Sequence, residues 1–449
     1  MRTSAVLLLL CVHFLSAQRP SPYANENARP SAPWVTNAVI YEIYPRAFSP
    51  EGNFAGIQKK LPELKKLGVT VLWLMPIHPV GLEKRKGSLG SSYSIADYYG
   101  INPEYGTLDD FKKLLNAAHA QGLKLVIDLV ANHTSWDSKM LRTHPEWFTH
   151  DSTGAIVAPV ADWSDVADLN YDNAELRSYM IAMMKYWVKE VGIDGFRCDV
   201  AEMVPTDFWE AARATLDSVK PVMMLAEGQY PEHHVKAFDL TYSWNLYGDL
   251  GPILDGKKSA TEIDTLLARE AAAYPKGSLR LRFSSNHDEN AWDKPDVVKF
   301  GVPGAKLAAV LVNTMPGVPL LYNGQEAGSP VALGLFEKFN IDWKADATFR
   351  PFYEKLYALR RTHPSLVSGN YASVKSNQPD RVIAFVRSSG KDRLLMLMNT
   401  ANEAVTTSVT LPAGFEGKSL TDLLSGNKVE MKSGTIVLPA KAAFILIAR

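Results

Sequence analysis

The stretch GFRCDV, residues 195–200, is a short apolar run that also carries an arginine and an aspartate. Residues two apart in a β-strand share a face, so Arg197 and Asp199 are expected on one side of the sheet. Phe196 and Cys198 are then expected on the other side. The run therefore predicts a buried strand that places an acid and a base together, with Cys198 as an inert buried thiol rather than a nucleophile.

Three other apolar runs also end in an acidic residue, namely LVID at 125–128, MMLAE at 223–227 and FSSNHD at 283–288. A single buried acid is commonly part of a structural ion pair, because charged groups are tolerated inside a protein when they are paired. Four acids that reach the same end of a sheet would concentrate negative charge, and packing alone gives no reason for that. Their convergence predicts an active site.

Strand candidates occur eight times along the chain, and amphipathic segments of helical period separate them. The candidates are 39–44, 69–75, 123–129, 195–200, 222–226, 237–240, 279–283 and 318–322. Strands that are apolar on both faces and alternate with helices predict an α/β fold with a parallel sheet, and eight repeats predict a closed (β/α)8 TIM barrel. An open doubly wound sheet is the alternative, but no Gly-x-Gly-x-x-Gly motif follows the first strand.

The pattern changes near residue 369. Predicted strands at 381–387, 393–398, 404–411 and 442–448 indicate a small all-β domain, a C-terminal β-sandwich over 369–449. The barrel is accordingly expected over 34–368, with a short insertion at about 134–173 after its third strand.

The first residues predict the destination of the protein. Residues 1–17 contain one arginine followed by an apolar run that ends in small residues and is too short to cross a bilayer, which is typical of a signal peptide. A polar linker is expected at 18–33. The protein is therefore predicted to be exported, either periplasmic or secreted, without a membrane span. A lipid anchor on Cys11 is the alternative, which Leu10 disfavours because a small residue is expected at that position.

The composition narrows the range of partners. The 449 residues include 48 Lys and Arg against 48 Asp and Glu, with 46% hydrophobic and 21% charged residues, as in an ordinary globular protein. The neutral balance excludes the basic surface of a nucleic-acid binder, so no nucleic acid is expected as a partner. The sequence leaves the oligomeric state open.

Two acids at the strand ends are expected in opposite protonation states. The guanidinium of Arg197 should keep Asp199 ionised, as a nucleophile must be. Glu227 follows an apolar run, which should raise its pKa, and a carboxylic acid that stays protonated near neutral pH can donate a proton to a leaving group. Two carboxyl groups tuned in this way suit glycoside hydrolysis.

Four motifs resemble the signature regions of the α-amylase family of glycoside hydrolases, in the family's order. They are DLVANH (128–133), GFRCDVAE (195–202), the glutamate of LAEGQ (225–229) and SSNHDEN (284–290). The segments IYEIYPRAFS (40–49), YSIADYYGINPEYGT (93–107) and VADLN (166–170) are similar to further family sequences. The resemblance covers nearly the whole of 34–449 and implies an enzyme that acts on α-glucosidic bonds with retention of configuration.

The resemblance implies a role for each matched residue. Asp199 would be the nucleophile, Glu227 the general acid and base, and Asp288 the third catalytic acid. Substrate binding would fall to Arg197, His133, His287, Tyr93 and Asp128, the last as a support for Arg197. His133 and Tyr93 also have a structural interpretation, since core histidines and loop tyrosines serve packing. Four tryptophans could either stack on sugar rings or pack in the core, namely Trp136, Trp147, Trp163 and Trp244.

This chemistry requires no cofactor. Calcium is the one metal that the resemblance suggests, because Asn132 and Asp168 match positions that bind Ca²⁺ in many α-amylases and oxygen ligands suit this ion. Two ligands do not form a site, however, and the predicted insertion is shorter than the protruding domain that completes the calcium cage in many relatives.

The resemblance implies starch-like α-glucans, maltodextrins or malto-oligosaccharides as substrates, cleaved through a covalent glycosyl-enzyme. It leaves other family activities open, since an α-glucan transglycosylase or an exo-acting α-glucosidase uses the same acids. A non-catalytic carbohydrate-binding protein on the same barrel is an alternative of another class, and the presence of all three acids disfavours it.

Overall fold

Eight parallel strands form a closed ring in the computed structural model, which describes residues 21–448. The strands are β1 (Ile40–Ile43), β2 (Val71–Leu74), β3 (Lys124–Leu129), β4 (Gly195–Cys198), β5 (Met223–Ala226), β6 (Leu240–Tyr242), β7 (Leu279–Arg282) and β8 (Val318–Tyr322). Each strand pairs with its neighbours in chain order, and β1 closes the ring against β8 with Ile40 opposite Leu320. The predicted (β/α)8 TIM barrel is confirmed.

The sixth strand differs from its predicted position. The apolar run at 237–240 predicts a strand there, whereas β6 begins only at Leu240. Asp239 lies directly before β6, and its buried carboxylate accepts hydrogen bonds from Arg29 at 2.6 Å and from Arg213 at 2.7 Å. Its side chain serves an ion-pair cluster at the base of the barrel, while its amide N–H donates to the carbonyl oxygen of Met224 on β5 at 2.9 Å.

Helices cover the outside of the ring. The long ones are α1 (Phe54–Leu67), α2 (Leu108–Ala120), α3 (Ala174–Tyr186), α4 (Thr206–Asp217), α5 (Trp244–Leu254), α6 (Glu262–Ala273), α7 (Asp296–Thr314) and α8 (Phe349–Thr362). Gly68 ends α1 with a φ of 106°, and Thr107 begins α2 in a capping box with Asp110. Shorter helical segments are Pro22–Asn25, Pro33–Thr36, Pro45–Phe48, Lys139–Thr143, Pro145–Trp147, Trp187–Val191, Ala201–Met203, His233–Lys236, His287–Trp292, Gln325–Ala327 and Pro364–Ser368.

The apolar side chains form two layers, one inside the ring and one outside it. The interior layer contains Ile40, Val71, Trp73, Val126, Met223, Leu225, Leu240, Tyr242, Leu281, Val318 and Leu320. Phe196 and Cys198 belong to the outer layer between strands and helices. The side-chain alternation predicted for β4 is therefore confirmed, and Cys198 is a buried free thiol that faces away from the barrel interior.

Helix α7 is the one helix within residues 21–448 whose length and composition would allow it to cross a membrane. Its residues 304–314 are almost all buried, and it kinks at Gly301, where φ is 67°. This burial is explained by its position as a barrel helix next to β8.

Residues 21–33 pack against the base of the barrel instead of forming a free linker. Arg29 and the hydroxyl of Ser31 both donate to Asp239, at 2.6 and 2.7 Å, and Asn27 forms a β-bridge with Lys276. The polar composition of this segment indicates a linker, because its partner Asp239 is too distant in the sequence to be recognised there. In the folded protein the buried carboxylate of Asp239 needs hydrogen-bond donors, and Arg29 and Ser31 supply them. The predicted signal peptide, 1–17, lies outside the described residues.

The C-terminal region is all β. A six-stranded sheet contains β9 (Asn370–Ser373), β10 (Val382–Ser389), β11 (Asp392–Asn399), β13 (Leu420–Asp422), β14 (Lys428–Val429) and β16 (Ala443–Ala448), and β12 (Val405–Ser408) pairs with β15 (Thr435–Leu438). Val405, Ile436 and Leu438 share one buried cluster with Leu395 and Leu397 of the larger sheet. Two packed sheets agree with the predicted sandwich, although β9, β13, β14 and β15 were not among the strands predicted from sequence.

Candidate active site

Three acids from neighbouring strands meet on one arginine. Arg197 on β4 is completely buried, and its Nη1 donates to Asp128 Oδ1 at 2.9 Å and to Asp199 Oδ1 at 2.8 Å. Its Nη2 lies 2.8 Å from Glu227 Oε2, a close ionic contact without the alignment of a hydrogen bond. Asp128 ends β3, Asp199 follows β4 and Glu227 follows β5, so the carboxyl ends of three strands deliver these groups to one place.

The fourth acid, Asp288, is connected to this cluster by contacts through His287 and Tyr93. His287 Nε2 lies 3.3 Å from Asp288 Oδ2 and 2.7 Å from Tyr93 Oη. Tyr93 Oη in turn donates to Asp128 Oδ2 at 3.1 Å, and its ring stacks on the His287 ring with centroids 5.2 Å apart. The structure therefore brings together the three predicted catalytic acids with Arg197, Asp128, His287 and Tyr93.

Arg197 and Asp128 are more deeply buried than the three predicted catalytic acids. Both side chains are 0% exposed, whereas the side chains of Asp199, Glu227 and Asp288 are 10%, 13% and 35% exposed. The buried pair therefore holds the acids in place, and its predicted part in substrate binding is indirect.

His133 begins the hairpin formed by His133–Ser135 and Val166–Asp168 in the predicted insertion. Its ring packs against Trp163 with centroids 5.5 Å apart and also contacts the backbone of Tyr93. Burial lowers the pKa of His133 to about 4, so the imidazole is neutral at physiological pH and can donate one hydrogen bond and accept another.

The four tryptophans differ in whether their surroundings suit stacking on a sugar ring or packing in the core. Trp163 contacts the predicted sugar-binding His133, and Trp136 is half-buried under Lys84, whose Nζ lies 3.3 Å from the ring centroid. Trp147 is buried and stacks on His144, and Trp244 packs on the interior layer of the barrel. The last two are therefore packing residues.

The backbone after the predicted nucleophile is strained. Val200 has a φ of 35°, a left-handed conformation that a β-branched residue rarely adopts and that costs on the order of 1–3 kcal/mol. In this conformation its amide N–H donates to Glu227 Oε2 at 2.8 Å. The strained residue thus ties the loop after Asp199 to the carboxyl group of Glu227.

Burial dominates the protonation of the acids. It raises the pKa of Glu227, as the sequence predicts, and the positive charge of Arg197 opposes this shift. It also raises the pKa of Asp199, and although Arg197 opposes that shift as well, the net direction is upward. The predicted ion pair of Arg197 with Asp199 is therefore not the whole account of this pKa, because desolvation of the largely buried carboxyl group outweighs the ion pair. The pKa of Asp128 is raised by the same cause to about 7.

Glu42 is a functional candidate that the sequence analysis did not single out. It lies on β1 with 0% exposure, and its Oε1 is 2.5 Å from His287 Nδ1. The only sequence signal was one glutamate in the otherwise apolar run of 39–44.

The two candidate calcium ligands, Asn132 and Asp168, each contact a neighbouring side chain. Asn132 is buried beside His133, with its Nδ2 3.4 Å from His133 Nδ1, and Asp168 is half-buried and bonded to the Thr149 side chain. Ca²⁺ takes six to eight oxygen ligands. No group of three or more His, Cys, Asp or Glu residues that could hold a metal occurs within residues 21–448.

An arginine-held cluster of carboxyl groups at the carboxyl ends of barrel strands is the arrangement of a sugar-cleaving barrel enzyme, with an acid for proton transfer and an acid for attack. Comparisons with known proteins agree. A model of the α-amylase catalytic domain matches residues 24–163 and 147–241, and a model of the maltogenic amylase C-terminal domain matches residues 372–445.

Solved structures and a curated relative extend the match. The chain is similar to the maltogenic α-amylase AmyB of Thermotoga neapolitana, with a TM-score of 0.83 and 35% identity over 92% of this chain and 99% of that one. It is similar to an α-amylase of Lactobacillus plantarum, with a TM-score of 0.82 and 32% identity over 92% and 99% of the two chains. It is 30% identical to α-amylase MalA of Haloarcula japonica over 88% of this chain and 59% of that relative's length. The chain belongs to the α-amylase family of glycoside hydrolases.

Proposed function

We propose that this protein hydrolyses α-glucosidic bonds in starch-like α-glucans or maltodextrins, with retention of configuration. The observation that carries the proposal is the shared contact of Arg197 with Asp199 and Glu227, 2.8 Å from each, at the mouth of the barrel. The similarity to α-amylases of Thermotoga neapolitana and Lactobacillus plantarum supports the substrate class.

The reaction has two steps. A carboxylate oxygen of Asp199 attacks the anomeric carbon while the glycosidic C–O bond breaks, and Glu227 gives its proton to the leaving oxygen. Water then attacks the same carbon, Glu227 takes a proton from that water, and the bond to Asp199 breaks to release the sugar. Asp288 grips the sugar hydroxyls, and no step requires a metal.

Product analysis tests the activity and its specificity. The purified protein is incubated with soluble starch, maltotriose, cyclodextrin, pullulan, trehalose and sucrose, and product sizes are followed over time. We expect short malto-oligosaccharides from starch, and an α-anomer as the first reducing product by NMR. The control is Asp199→Asn, which keeps the shape of the side chain and removes the nucleophile. Absence of products from all six substrates, or a β-anomer formed first, would contradict the proposal, and a variant within tenfold of the unmodified turnover would contradict the role of Asp199.

Transglycosylation is the second candidate, since a sugar hydroxyl can replace water in the second step on the same acids. Products longer than the donor at high maltotriose concentration would identify it.

We further propose that the protein is exported, on the strength of the residue pattern at 1–17. Cell fractionation and mass spectrometry of the mature N-terminus test this. Material outside the cytoplasm that begins at Gln18 is the expected result, and cytoplasmic protein that retains Met1 or Arg2 would contradict it.

A further inference from the structure

Glu42 is a buried acid for which packing gives no reason. It shares the interior face of β1 with Ile40, and its Oε2 has no hydrogen-bond partner among the residues that the structure describes. Removing a carboxylate from water is strongly unfavourable unless the charge is compensated. The compensation available to Glu42 is His287, whose Nδ1 lies 2.5 Å from its Oε1.

The positions of the protons around His287 follow from its neighbours. Tyr93 has one hydroxyl proton, which it donates to Asp128 Oδ2 at 3.1 Å. At the 2.7 Å contact between Tyr93 Oη and His287 Nε2, the proton must therefore come from Nε2. The 2.5 Å contact between Glu42 and Nδ1 needs a second proton. His287 and Glu42 together thus hold two protons, one on each side of the ring.

Charged groups face this ring from several elements. Burial and the charge of Arg197 lower the pKa of His287, but Asp288 and Glu42 outweigh them and raise it to about 9. His287 in turn opposes the rise that burial causes in the pKa values of Asp128, Asp199 and Glu227, so its positive charge reaches the acids of the site. The remaining neighbours are Tyr93 and Trp73, whose ring meets the imidazole edge to face at 6.0 Å.

We propose that Glu42 is a positioning residue for the reaction. It keeps a proton between itself and His287 Nδ1, and this fixes Nε2 as the hydrogen-bond donor to Tyr93 Oη and keeps the positive charge of the ring 3.3 Å from Asp288 Oδ2. The inference rests on the proposed function, because it assumes that His287 and Asp288 contact the sugar during cleavage. Glu42 itself acts only through His287.

The direct test is the titration of His287 by ¹⁵N NMR in protein labelled at histidine, with the signal assigned through His287→Gln. We expect His287 to stay protonated through pH 8 in the unmodified protein and to titrate near or below pH 6.5 in Glu42→Gln, which has the same shape without the charge. The matched control is Glu326→Gln. Glu326 is also buried and bonded to a β1 residue, with its Oε1 2.5 Å from Tyr41 Oη, but Tyr41 points to the outer layer.

The kinetic test uses an activated aryl α-maltoside. Its leaving group needs little proton donation, so the alkaline side of the pH profile does not report the ionisation of Glu227. We expect kcat/KM of Glu42→Gln to fall roughly 30-fold between pH 5.5 and pH 8, because an imidazole with an ordinary pKa loses most of its charge over that interval. The unmodified protein and Glu326→Gln should stay level over the same range.

Two results would overturn the inference. One is a pH profile of Glu42→Gln that matches the unmodified protein. The other is titration of His287 below pH 7 in the unmodified protein, a measurement that holds even where the variant does not fold. The NMR measurement needs no turnover, so an inactive but normally titrating protein would count against the proposed function alone.

Discussion

His233 allows a quantitative test of how burial controls stability. Its side chain is completely buried between Tyr230 and Phe238, with ring centroids 5.5 and 5.0 Å away. Neither ring nitrogen has a hydrogen-bond partner within residues 21–448. Burial lowers the pKa of this imidazole from 6.5 to about 4. Replacing His233 with Phe keeps an aromatic ring and removes the titration.

The sign and size of the stability change follow from the linkage between proton binding and folding. The folded pKa lies below the unfolded one, so as pH falls below about 6.5 the unfolded chain binds a proton that the folded protein does not, and stability is lost. At pH 5 the difference amounts to about 2 kcal/mol, and at pH 7.5 it is close to zero. His233→Phe should therefore raise the free energy of unfolding by about 2 kcal/mol more at pH 5 than at pH 7.5.

Urea unfolding followed by tryptophan fluorescence at the two pH values measures this difference. Any cost of repacking the larger ring is the same at both pH values and cancels. Phe238→Leu is the control, since it alters packing in the same cluster without a titratable group and should change stability equally at both. A gain for His233→Phe that differs by less than about 0.5 kcal/mol between pH 5 and pH 7.5 would refute the reasoning.

Three further predictions concern the site and its surroundings. Glu227→Gln should lose at least a hundredfold in kcat/KM on starch but far less on an activated aryl maltoside, because only the poor leaving group needs the proton; equal losses would count against an acid role. Cys198→Ser should keep its kinetic constants and lose about 2 kcal/mol of stability, since a hydroxyl group replaces a thiol in an apolar layer, and an inactive variant that still folds would contradict this. Prolonged dialysis against EDTA should leave activity and thermal midpoint unchanged, because no step of the proposed reaction uses a metal and Asn132 and Asp168 both contact other side chains; a loss restored by CaCl2 would contradict this.

The barrel and its acids could be predicted because both depend on local pattern. The eight apolar runs define strands wherever they stand in the chain, and a polar residue at the end of a parallel strand lies at the carboxyl edge of the sheet. Asp199 and Glu227 were therefore found without coordinates. Arg197 was also predicted as the partner of Asp199, but its contact with Glu227 was not, because that contact depends on the pairing of β4 with β5.

Contacts between residues that are distant in the sequence account for the features that the sequence did not predict. Glu42 bonds to a residue 245 positions away, and the segment containing Arg29 is held by Asp239, 210 positions away. Neither pair leaves a local pattern. The direction of the Asp199 pKa shift was also beyond sequence reasoning, since it depends on how completely the folded chain excludes water from that carboxyl group.

The single guanidinium of Arg197 shared by Asp128, Asp199 and Glu227 has a consequence for any attempt to move the pH optimum. Protonation of one member changes the electrostatic balance of the other two, so the apparent ionisation constants belong to the assembly and cannot be assigned residue by residue. An engineer who wishes to shift the working range of the enzyme would have to redesign the whole charge network, because no single carboxyl group sets it.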